Sequence, residues 1–411
     1  MLYIKPFSYD DYTTYKIKED DTPPDVAIKL GIDLYELRSY HNRYCPLEDC
    51  IGPTFPAHLK FLIIQSEEGK KAKETRREPI HFSTQNFKLP FLPSQLKKNY
   101  LAEYTIFNGN EKVSIKEEVY VKWLATDNDY YCIEVDRKAL YINDKVEKSM
   151  ADQLAEMTAK VFYPLQIIVN SDGKFVDLYN FDSIRDRWKK VKKEVLKEFR
   201  GAAVEEQLKI FEGKLDDNIV IFRAFLNDWF LRAFFSGLNI EYKETLKIEK
   251  TVRFPISKKV GEVDFFVEQT IFPAVDQYNL VNITQTGILS DSRSKNDFEN
   301  GLHFSYDTAE EKEVKQVEGS YEAYYFLDPN RNVIDSLFLE CELKLDVPQK
   351  ITIAISALKD KGKLTIDSGI SLYVPSQKKK RDMEELWVIV AIIVSIIVGV
   401  SVFINFILKN K

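Results

Sequence analysis

The chain has 411 residues, 45% of them hydrophobic and 13% aromatic, so it can form a sizeable core and is long enough for two or three domains. Its net charge of −6, without a basic domain or stripe, argues against a nucleic-acid partner. The four cysteines at positions 45, 50, 132 and 341 are too few for a disulfide framework and fit a reducing compartment.

The first 65 residues have the pattern of a separate unit with the order strand, helix, helix, strand. Thr22 is a good N-cap for the first helix because prolines follow it directly, and Gly31 is suited to end that helix. A second helix should carry Leu34 and Leu37 on its apolar face. A strand from Leu59 to Ile64 completes the predicted unit.

This N-terminal unit resembles a LysM module over residues 12–64. The resemblance is carried by Tyr15, Ile17, Asp21, Thr22, Val26, Ala27, Leu30, Gly31, Ile32, Leu37, Asn42, Pro56, His58, Leu59 and Phe61. It implies a βααβ fold that typically binds glycans containing N-acetylglucosamine. It also implies a groove between two loops, formed here by Asp21, Thr22, Pro23, Thr54, Phe55 and Pro56.

The sequence departs from the family pattern at the predicted groove. Asp20 and Ala57 stand where the family usually has glycine, and Pro23 stands where it usually has leucine. Glycine lets a backbone approach a ligand closely, so these replacements favour a narrower groove. LysM-like modules also occur on the tail, spike and baseplate parts of phage-like contractile machines, where they bind protein. The resemblance therefore leaves a glycan and a protein partner open.

Residues 66–80 are rich in charge and lack periodicity, which predicts a solvated linker. Residues 81–375 predict a large α+β domain in which antiparallel strands dominate, because apolar residues alternate along many short segments. The turn sequence at 170–173 predicts a hairpin.

Three helices are expected within the large domain. The first covers 145–159, and the second, at 184–199, is basic and amphipathic. We expect the second helix to pack on the domain with a solvated basic back, rather than to lie on a membrane. The third, at 219–238, is aromatic, and its charges at Arg223, Asp228 and Arg232 argue against a membrane span.

No motif for nucleotide binding, serine nucleophiles or zinc hydrolases occurs in the chain, so we predict no enzymatic activity and no cofactor. Four potential soft-metal ligands do cluster, namely His41, Cys45, Cys50 and His58. Their spacing is not that of a structural zinc site, so we predict that no metal binds there.

The C-terminal residues 386–408 carry no charge and predict a transmembrane helix, because 23 residues of helix span roughly 34 Å. A basic and acidic juxtamembrane segment, 376–385, precedes it. The chain starts without a signal-peptide pattern, so the protein is predicted to be tail-anchored. The basic cluster at 378–381 places the bulk of the chain in the cytoplasm. Ala391, Ser395 and Gly399 fall on one helix face and favour a homo-oligomer.

Together these patterns predict an α+β, non-enzymatic membrane adaptor or scaffold. Its partners would be the lipid bilayer and a protein, in a bacterial phage-like contractile or secretion machine. A glycan-binding protein of the cell envelope, which would recognise peptidoglycan, is one alternative. A membrane-tethered protein that binds lipid in an apolar cavity is the other.

Overall fold

The computed structural model describes residues 7–46, 49–66, 78–83, 87–142, 154, 157–257, 260–276, 278–306 and 317–358. Several predictions fall outside these residues: most of the linker and of the 145–159 helix, the juxtamembrane segment, and the apolar segment with Ala391, Ser395 and Gly399. Among the helices that are described, none has the length and apolar character needed to cross a bilayer.

The described residues form two compact units. The sheet unit is drawn from residues up to 142, from 164–179 and from 229–358. The helical unit is drawn from residues 154, 157–163 and 180–228. The LysM-like residues therefore belong to the same unit as the large sheet.

The N-terminal module, residues 7–66, contains a two-stranded antiparallel sheet and two helices. Its elements are β1 (Thr14–Lys16), α1 (Pro23–Leu30), α2 (Leu34–Tyr44) and β2 (Phe61–Ile63). Thr22 caps α1 in a reciprocal capping box with Asp25, and Gly31 ends the helix in a left-handed conformation with φ 62°. The predicted start and end of α1 are confirmed.

The helical unit contains α3 (Phe181–Glu198), α4 (Ala202–Leu215) and α5 (Asn218–Leu226). The apolar stripe of α3 is buried, and its Trp188 packs against Phe211 of α4 with ring centroids 4.9 Å apart. Lys189, on the opposite face, leaves 73% of its side chain exposed. The prediction of a packed helix with a solvated basic back is confirmed.

The expected continuous helix at 219–238 is wrong. Asn227 ends α5, and a separate short helix, α6 (Trp229–Phe234), begins after Asp228 and belongs to the sheet unit. Asn and Asp bond readily to nearby backbone groups in non-helical conformations, which favours a break at this pair. A last short helix, α7 (Lys295–Glu299), begins after Ser294, whose side chain caps it.

One large antiparallel sheet of eleven strands dominates the sheet unit, and this is an α+β architecture as the sequence predicts. The strands are β3 (Lys97–Asn108), β4 (Glu111–Asp127), β5 (Tyr130–Ile142), β6 (Leu165–Asn170), β7 (Phe175–Leu178), β8 (Lys247–Ser257), β9 (Gly261–Ile271), β10 (Val281–Leu289), β11 (Gly319–Leu327), β12 (Ile334–Leu343) and β13 (Gln349–Ala357). The predicted hairpin at 170–173 is confirmed as the turn between β6 and β7.

The order of strands across the sheet is β7-β6-β5-β4-β3-β13-β12-β11-β10-β9-β8. Strands β3 to β7 form one meander and strands β8 to β13 form another. The two meanders meet where β3 pairs with β13, and Tyr104 lies opposite Ile353 in that pairing. The first and last strands of the sheet are therefore neighbours at its centre.

Side chains alternate along each strand, so successive residues point to opposite faces of the sheet. Different elements cover these two faces. On one face of β3, Tyr100 packs against Phe234 and Tyr104 against Trp229, both of α6, with centroids 4.9 and 5.8 Å apart. On the other face, Leu101 is buried against the N-terminal module. We call the second side of the sheet the module face.

Candidate functional site

Helix α2 docks on the module face through aromatic stacking. The ring of Tyr35 lies parallel to that of Tyr324 on β11, with centroids 3.8 Å apart and planes inclined by 20°. The same ring lies 5.1 Å from that of Phe338 on β12. Aromatic pairs of this kind contribute about 0.5–1.5 kcal/mol beyond the area that they bury.

Arg38 of α2 is the charged centre of this contact and is only 4% exposed. Its guanidinium carbon lies 4.0 Å from the centre of the Phe338 ring, and its Nε donates to the Gly52 carbonyl at 3.0 Å. Burial lowers the pKa of Arg38 to about 10, so the side chain stays positive at neutral pH. The arginine therefore fixes both the loop at Gly52 and the position of α2 on the sheet.

The segment from Cys50 to Gly52 contacts charged side chains of β3 and β4. Lys116 Nζ donates to the Cys50 carbonyl at 3.2 Å, and both Lys116 and Glu103 are almost fully buried. A Cβ at Gly52 would lie 2.7 Å from Glu103 Oε1, so only glycine fits there without a shift.

Polar contacts surround this centre. The hydroxyls of Ser39 and Ser336 are 2.6 Å apart. Asp335 pairs with Arg43 of α2 and, at 2.8 Å, with Lys98 of β3. Stacked rings, buried charges and ion pairs thus hold the module on the sheet. Most of these contacts are made by side chains of α2.

The predicted groove residues of the first loop make internal bonds. Asp21 accepts from the Tyr15 hydroxyl at 2.8 Å and from the Lys18 backbone N–H at 2.9 Å, and it pairs with Lys29. The Lys29 ammonium and the Lys18 N–H lower the pKa of Asp21 to about 2. The Thr22 hydroxyl is used in the capping box of α1, and Pro23 is buried.

The second predicted groove loop is likewise engaged. Thr54 Oγ1 accepts from Lys112 Nζ of β4 at 2.7 Å. Phe55 packs against the apolar cluster that contains Val26 and Leu59, and the Pro56 carbonyl accepts from the Leu59 N–H at 3.0 Å. Asp21, Thr22 and Thr54 thus already have partners within the chain.

Helix α1 differs from α2 in what it exposes. Ile28 is 80% exposed, and Pro24 and Asp25 of the same helix are also exposed. These residues lie at spacings of three and four, which places them on one side of the helix. We call Pro24, Asp25 and Ile28 the α1 surface. Ile28 is the apolar residue of this surface, which we treat as a candidate contact surface.

A cleft of about 340 Å³ lies between α2 and the connection from β9 to β10. Glu36 of α2 and Asp276 of the connection contribute carboxylates, and Phe272 and Pro273 contribute apolar walls. Burial raises the pKa of Asp276, whose carboxylate accepts from the N–H groups of Tyr278 and Leu280. The volume suits a small ligand, and the carboxylates suit a hydrogen-bond donor. Sequence reasoning missed this cleft, since its walls are far apart in the chain.

The four potential metal ligands do not point at one centre. The His41 ring accepts from the Ile63 N–H at Nδ1 and faces the Asp49 carbonyl at Nε2, with distances of 2.9 and 3.1 Å. His58 Nε2 lies 3.0 Å from the Asp49 carboxylate. Within the described ranges, no group of three or more His, Cys, Asp or Glu residues is arranged to hold a metal ion. Cys45 and Cys50 do lie together, with sulfurs 3.3 Å apart.

No protein-family model matches the chain, and no curated protein matches it. Among solved structures, one titled "Lipid-protein interactions in lipovitellin" is similar over 64% of this chain and 25% of that chain, with 12% identity and a TM-score of 0.34. The MucA/MucB complex of Pseudomonas aeruginosa matches over 64% of this chain and 89% of that chain, with 4% identity and a TM-score of 0.11. This chain spans about a quarter of the lipovitellin chain. We draw no conclusion about fold or function from either likeness.

Proposed function

We propose that this protein is a non-enzymatic membrane adaptor whose LysM-like N-terminal module binds a protein partner through the α1 surface. The proposal rests on one difference between the two helices of the module: α2 packs on the sheet, whereas one side of α1 is exposed. Helix α2 is used for docking on the sheet through Tyr35 and Arg38. Helix α1 leaves Ile28 80% exposed. The sheet then serves as the scaffold that displays α1.

A protein partner is favoured over a glycan by the polar groups of the groove. Sugar recognition depends on hydrogen bonds to hydroxyl groups, and the side chains of Asp21, Thr22 and Thr54 already make internal bonds. Breaking an internal bond to make an external one yields little net free energy. The α1 surface instead offers an apolar side chain beside a carboxylate, which suits the mixed surface of a protein.

The membrane part of the proposal rests on the sequence. Residues 386–408 are uncharged and long enough to span a bilayer, and Lys378, Lys379, Lys380 and Arg381 precede them. In this orientation the module lies in the cytoplasm, where a phage-like contractile or secretion machine would supply its partner. Close approach of two such helices along Ala391, Ser395 and Gly399 would form a homo-oligomer.

The experiment is photo-cross-linking in intact cells, with the full chain carrying a photoreactive amino acid at position 28. We expect one dominant cross-linked protein, and we expect the same probe at position 219 not to capture it. Ile219 is the matched control because it is an isoleucine, 61% exposed, in the helical unit. The proposal also expects Ile28→Asp to abolish association with the captured protein, while Ile219→Asp retains it.

Binding to insoluble peptidoglycan is the opposing outcome. Retention of the full chain in detergent on peptidoglycan, lost in Thr22→Ala or Phe55→Ala but kept in Ile28→Asp, would establish a glycan-binding envelope protein instead. Labelling of the module by a membrane-impermeant reagent on intact cells would likewise contradict the cytoplasmic orientation.

A further inference from the structure

Two buried cysteines lie in contact where α2 ends. Cys45 is the residue that follows α2, and Cys50 lies in the segment that touches β4. Their sulfurs are 3.3 Å apart, and the two residues are 3% and 0% exposed. Ile63 of β2 and Leu101 of β3 complete the apolar cluster around them. Two thiols held this closely need only a small movement to form a bond.

The two thiols differ in acidity. Burial alone would raise the pKa of Cys45, but the hydrogen bond from the Cys50 thiol and the neighbouring His41 ring lower it below its usual value. Burial raises the pKa of Cys50 well above its usual value. These opposite shifts favour the thiolate on Cys45 and the proton on Cys50. A more acidic thiol next to a less acidic one matches the pairing of a nucleophilic cysteine with a resolving cysteine in this one respect.

The other two cysteines lack these properties. Burial raises the pKa of Cys341 on β12 well above its usual value, and burial also raises the pKa of Cys132 on β5. Both remain protonated at neutral pH, and protonated thiols react slowly with oxidants. Cys132 is the more accessible of the two and therefore serves as an internal reference.

We propose that Cys45 and Cys50 are a redox modification site, which a small peroxide converts into a disulfide. The Cys45 thiolate attacks one peroxide oxygen, the O–O bond breaks, and a sulfenic acid and hydroxide are formed. The Cys50 sulfur then attacks the Cys45 sulfur, the S–S bond forms and the S–O bond breaks. The Cys50 proton leaves with the departing hydroxide as water. The two cysteines together lose two electrons, and hydrogen peroxide is reduced to one molecule of water and one hydroxide ion, which takes up a proton from solvent.

Aromatic residues of the N-terminal module pack over the pair. Phe7, Tyr9, Tyr12 and Tyr44 pack against the cluster that contains both cysteines. The Phe7 ring lies 5.0 Å from that of Tyr9 and 5.8 Å from that of Tyr12. We call these four rings the aromatic cover. A molecule of the size of hydrogen peroxide passes such a cover more readily than a bulky disulfide does, and this selects peroxide as the reagent.

A disulfide at this place would tie the end of α2 to the segment that docks on the sheet. The Cys50 carbonyl accepts from Lys116, and Gly52 two residues later accepts from Arg38. Oxidation would therefore fix the geometry of the docking contact. The inference is independent of the proposed partner binding.

The test uses the full chain, reduced and purified in detergent at neutral pH, treated with hydrogen peroxide and sampled over time. Each sample is quenched, alkylated in denaturant and mapped by peptide mass spectrometry. We expect a Cys45–Cys50 cross-linked peptide that dithiothreitol removes, and oxidation of Cys45 at least about tenfold faster than that of Cys132. Cys45 and Cys50 that both stay alkylatable while Cys132 oxidises would overturn the proposal.

Variants separate the two chemical steps. In Cys50→Ser, peroxide should stop at a sulfenic acid on Cys45 that dimedone traps, and in Cys45→Ser, Cys50 should not react. Cys341→Ser is the matched control, because it also removes a buried cysteine and should leave formation of the disulfide unchanged. Peptide mapping of the unmodified chain decides the proposal even where a variant folds poorly.

Discussion

The rings of Tyr35 and Tyr324 lie face to face between the N-terminal module and the large sheet, with centroids 3.8 Å apart. One ring comes from the second helix of the module, and the other from the middle of β11. The N-terminal module is therefore packed on the sheet, and the strength of this contact is measurable.

A double-mutant cycle tests this stacking. We expect Tyr35→Leu and Tyr324→Leu each to lower the free energy of unfolding, with a coupling of roughly 0.5–1.5 kcal/mol between them. The measurement is urea unfolding of the two single variants, the double variant and the unmodified chain. Tyr35→Leu combined with Tyr130→Leu is the control, since Tyr130 is 52% exposed on β5. Equal coupling in both cycles would show that the stack contributes nothing.

Replacement of Arg38 by lysine should destabilise the folded chain although the positive charge is kept. Lysine has no planar group to lie on Phe338, and its ammonium cannot reproduce the Nε bond to Gly52. We expect a loss of roughly 2–3 kcal/mol in the free energy of unfolding. Arg331→Lys provides the comparison, because that side chain is 42% exposed and should change stability by under about 0.5 kcal/mol. Equal losses at both positions would contradict the role of Arg38.

Replacement of two glycines by alanine should change the free energy of unfolding in opposite directions. At Gly52 the added Cβ meets the buried Glu103 carboxylate, so Gly52→Ala should destabilise by roughly 1–3 kcal/mol. At Gly213 of α4 the Cβ meets nothing within 4 Å, so Gly213→Ala should stabilise by about 0.5–1 kcal/mol. Thermal and urea unfolding measure both changes. A neutral Gly52→Ala would mean that the loop is not pressed against β3.

The Asp21 carboxyl should make stability depend on acidic pH. Its pKa is about 2 in the folded chain and about 3.9 when unfolded, so its contribution is complete above pH ~4 and is lost as the pH falls towards 2. We expect the unmodified chain to be more stable than Asp21→Asn at pH 5, with the difference vanishing near pH 2. Asp20→Asn, at an exposed neighbouring aspartate, is the control variant.

Oxidation of Cys45 should accelerate as the pH rises. Because the pKa of Cys45 is lowered, its thiolate should form below the pH range of an ordinary thiol, and the rate with peroxide should level off above that range. The charged and titratable groups that face the two sulfurs are Tyr9, His41, Asp49, Glu103 and Lys116. Stopped-flow measurement of peroxide consumption, with Cys45→Ser as the blank, gives the profile. A rate that still rises tenfold per pH unit above 8 would contradict a lowered pKa.

Local features were predictable where a few neighbouring residues decide the structure. Thr22 and Gly31 bound α1 because capping depends only on adjacent backbone groups. The turn at 170–173 joins two strands for the same reason. The break after Asn227 was missed, since the aromatic periodicity on both sides favoured one helix. Helix α4 was missed because it begins after Gly201 and carries Gly213, and both residues weaken a helix signal.

Contacts between distant segments were not predictable from one sequence. Arginine is seldom buried, so nothing in the pattern around Arg38 indicated that Phe338, three hundred residues later, would cover it. The sequence predicted that Leu37 lies on the apolar face of α2. The face that contacts the sheet instead contains Tyr35 and Ser39, whose residue types are common on protein surfaces. The sequence marked Cys45 and Cys50 as potential metal ligands with unsuitable spacing, and the redox proposal depends on the 3.3 Å separation of their sulfurs, which the structure supplies.

The central pairing of β3 with β13 determines when the sheet is completed during synthesis. Tyr100 of β3 pairs with Ala357, so β3 emerges from the ribosome long before its partner exists. Until then both β3 and β12 present open edges, which are prone to pairing with other chains. The Leu101 side of β3 is meanwhile free for the N-terminal module, which is already made and packs against it. Docking of the module would shield one face of β3 during the period in which the edge of β3 is still unpaired because β13 has not been synthesised.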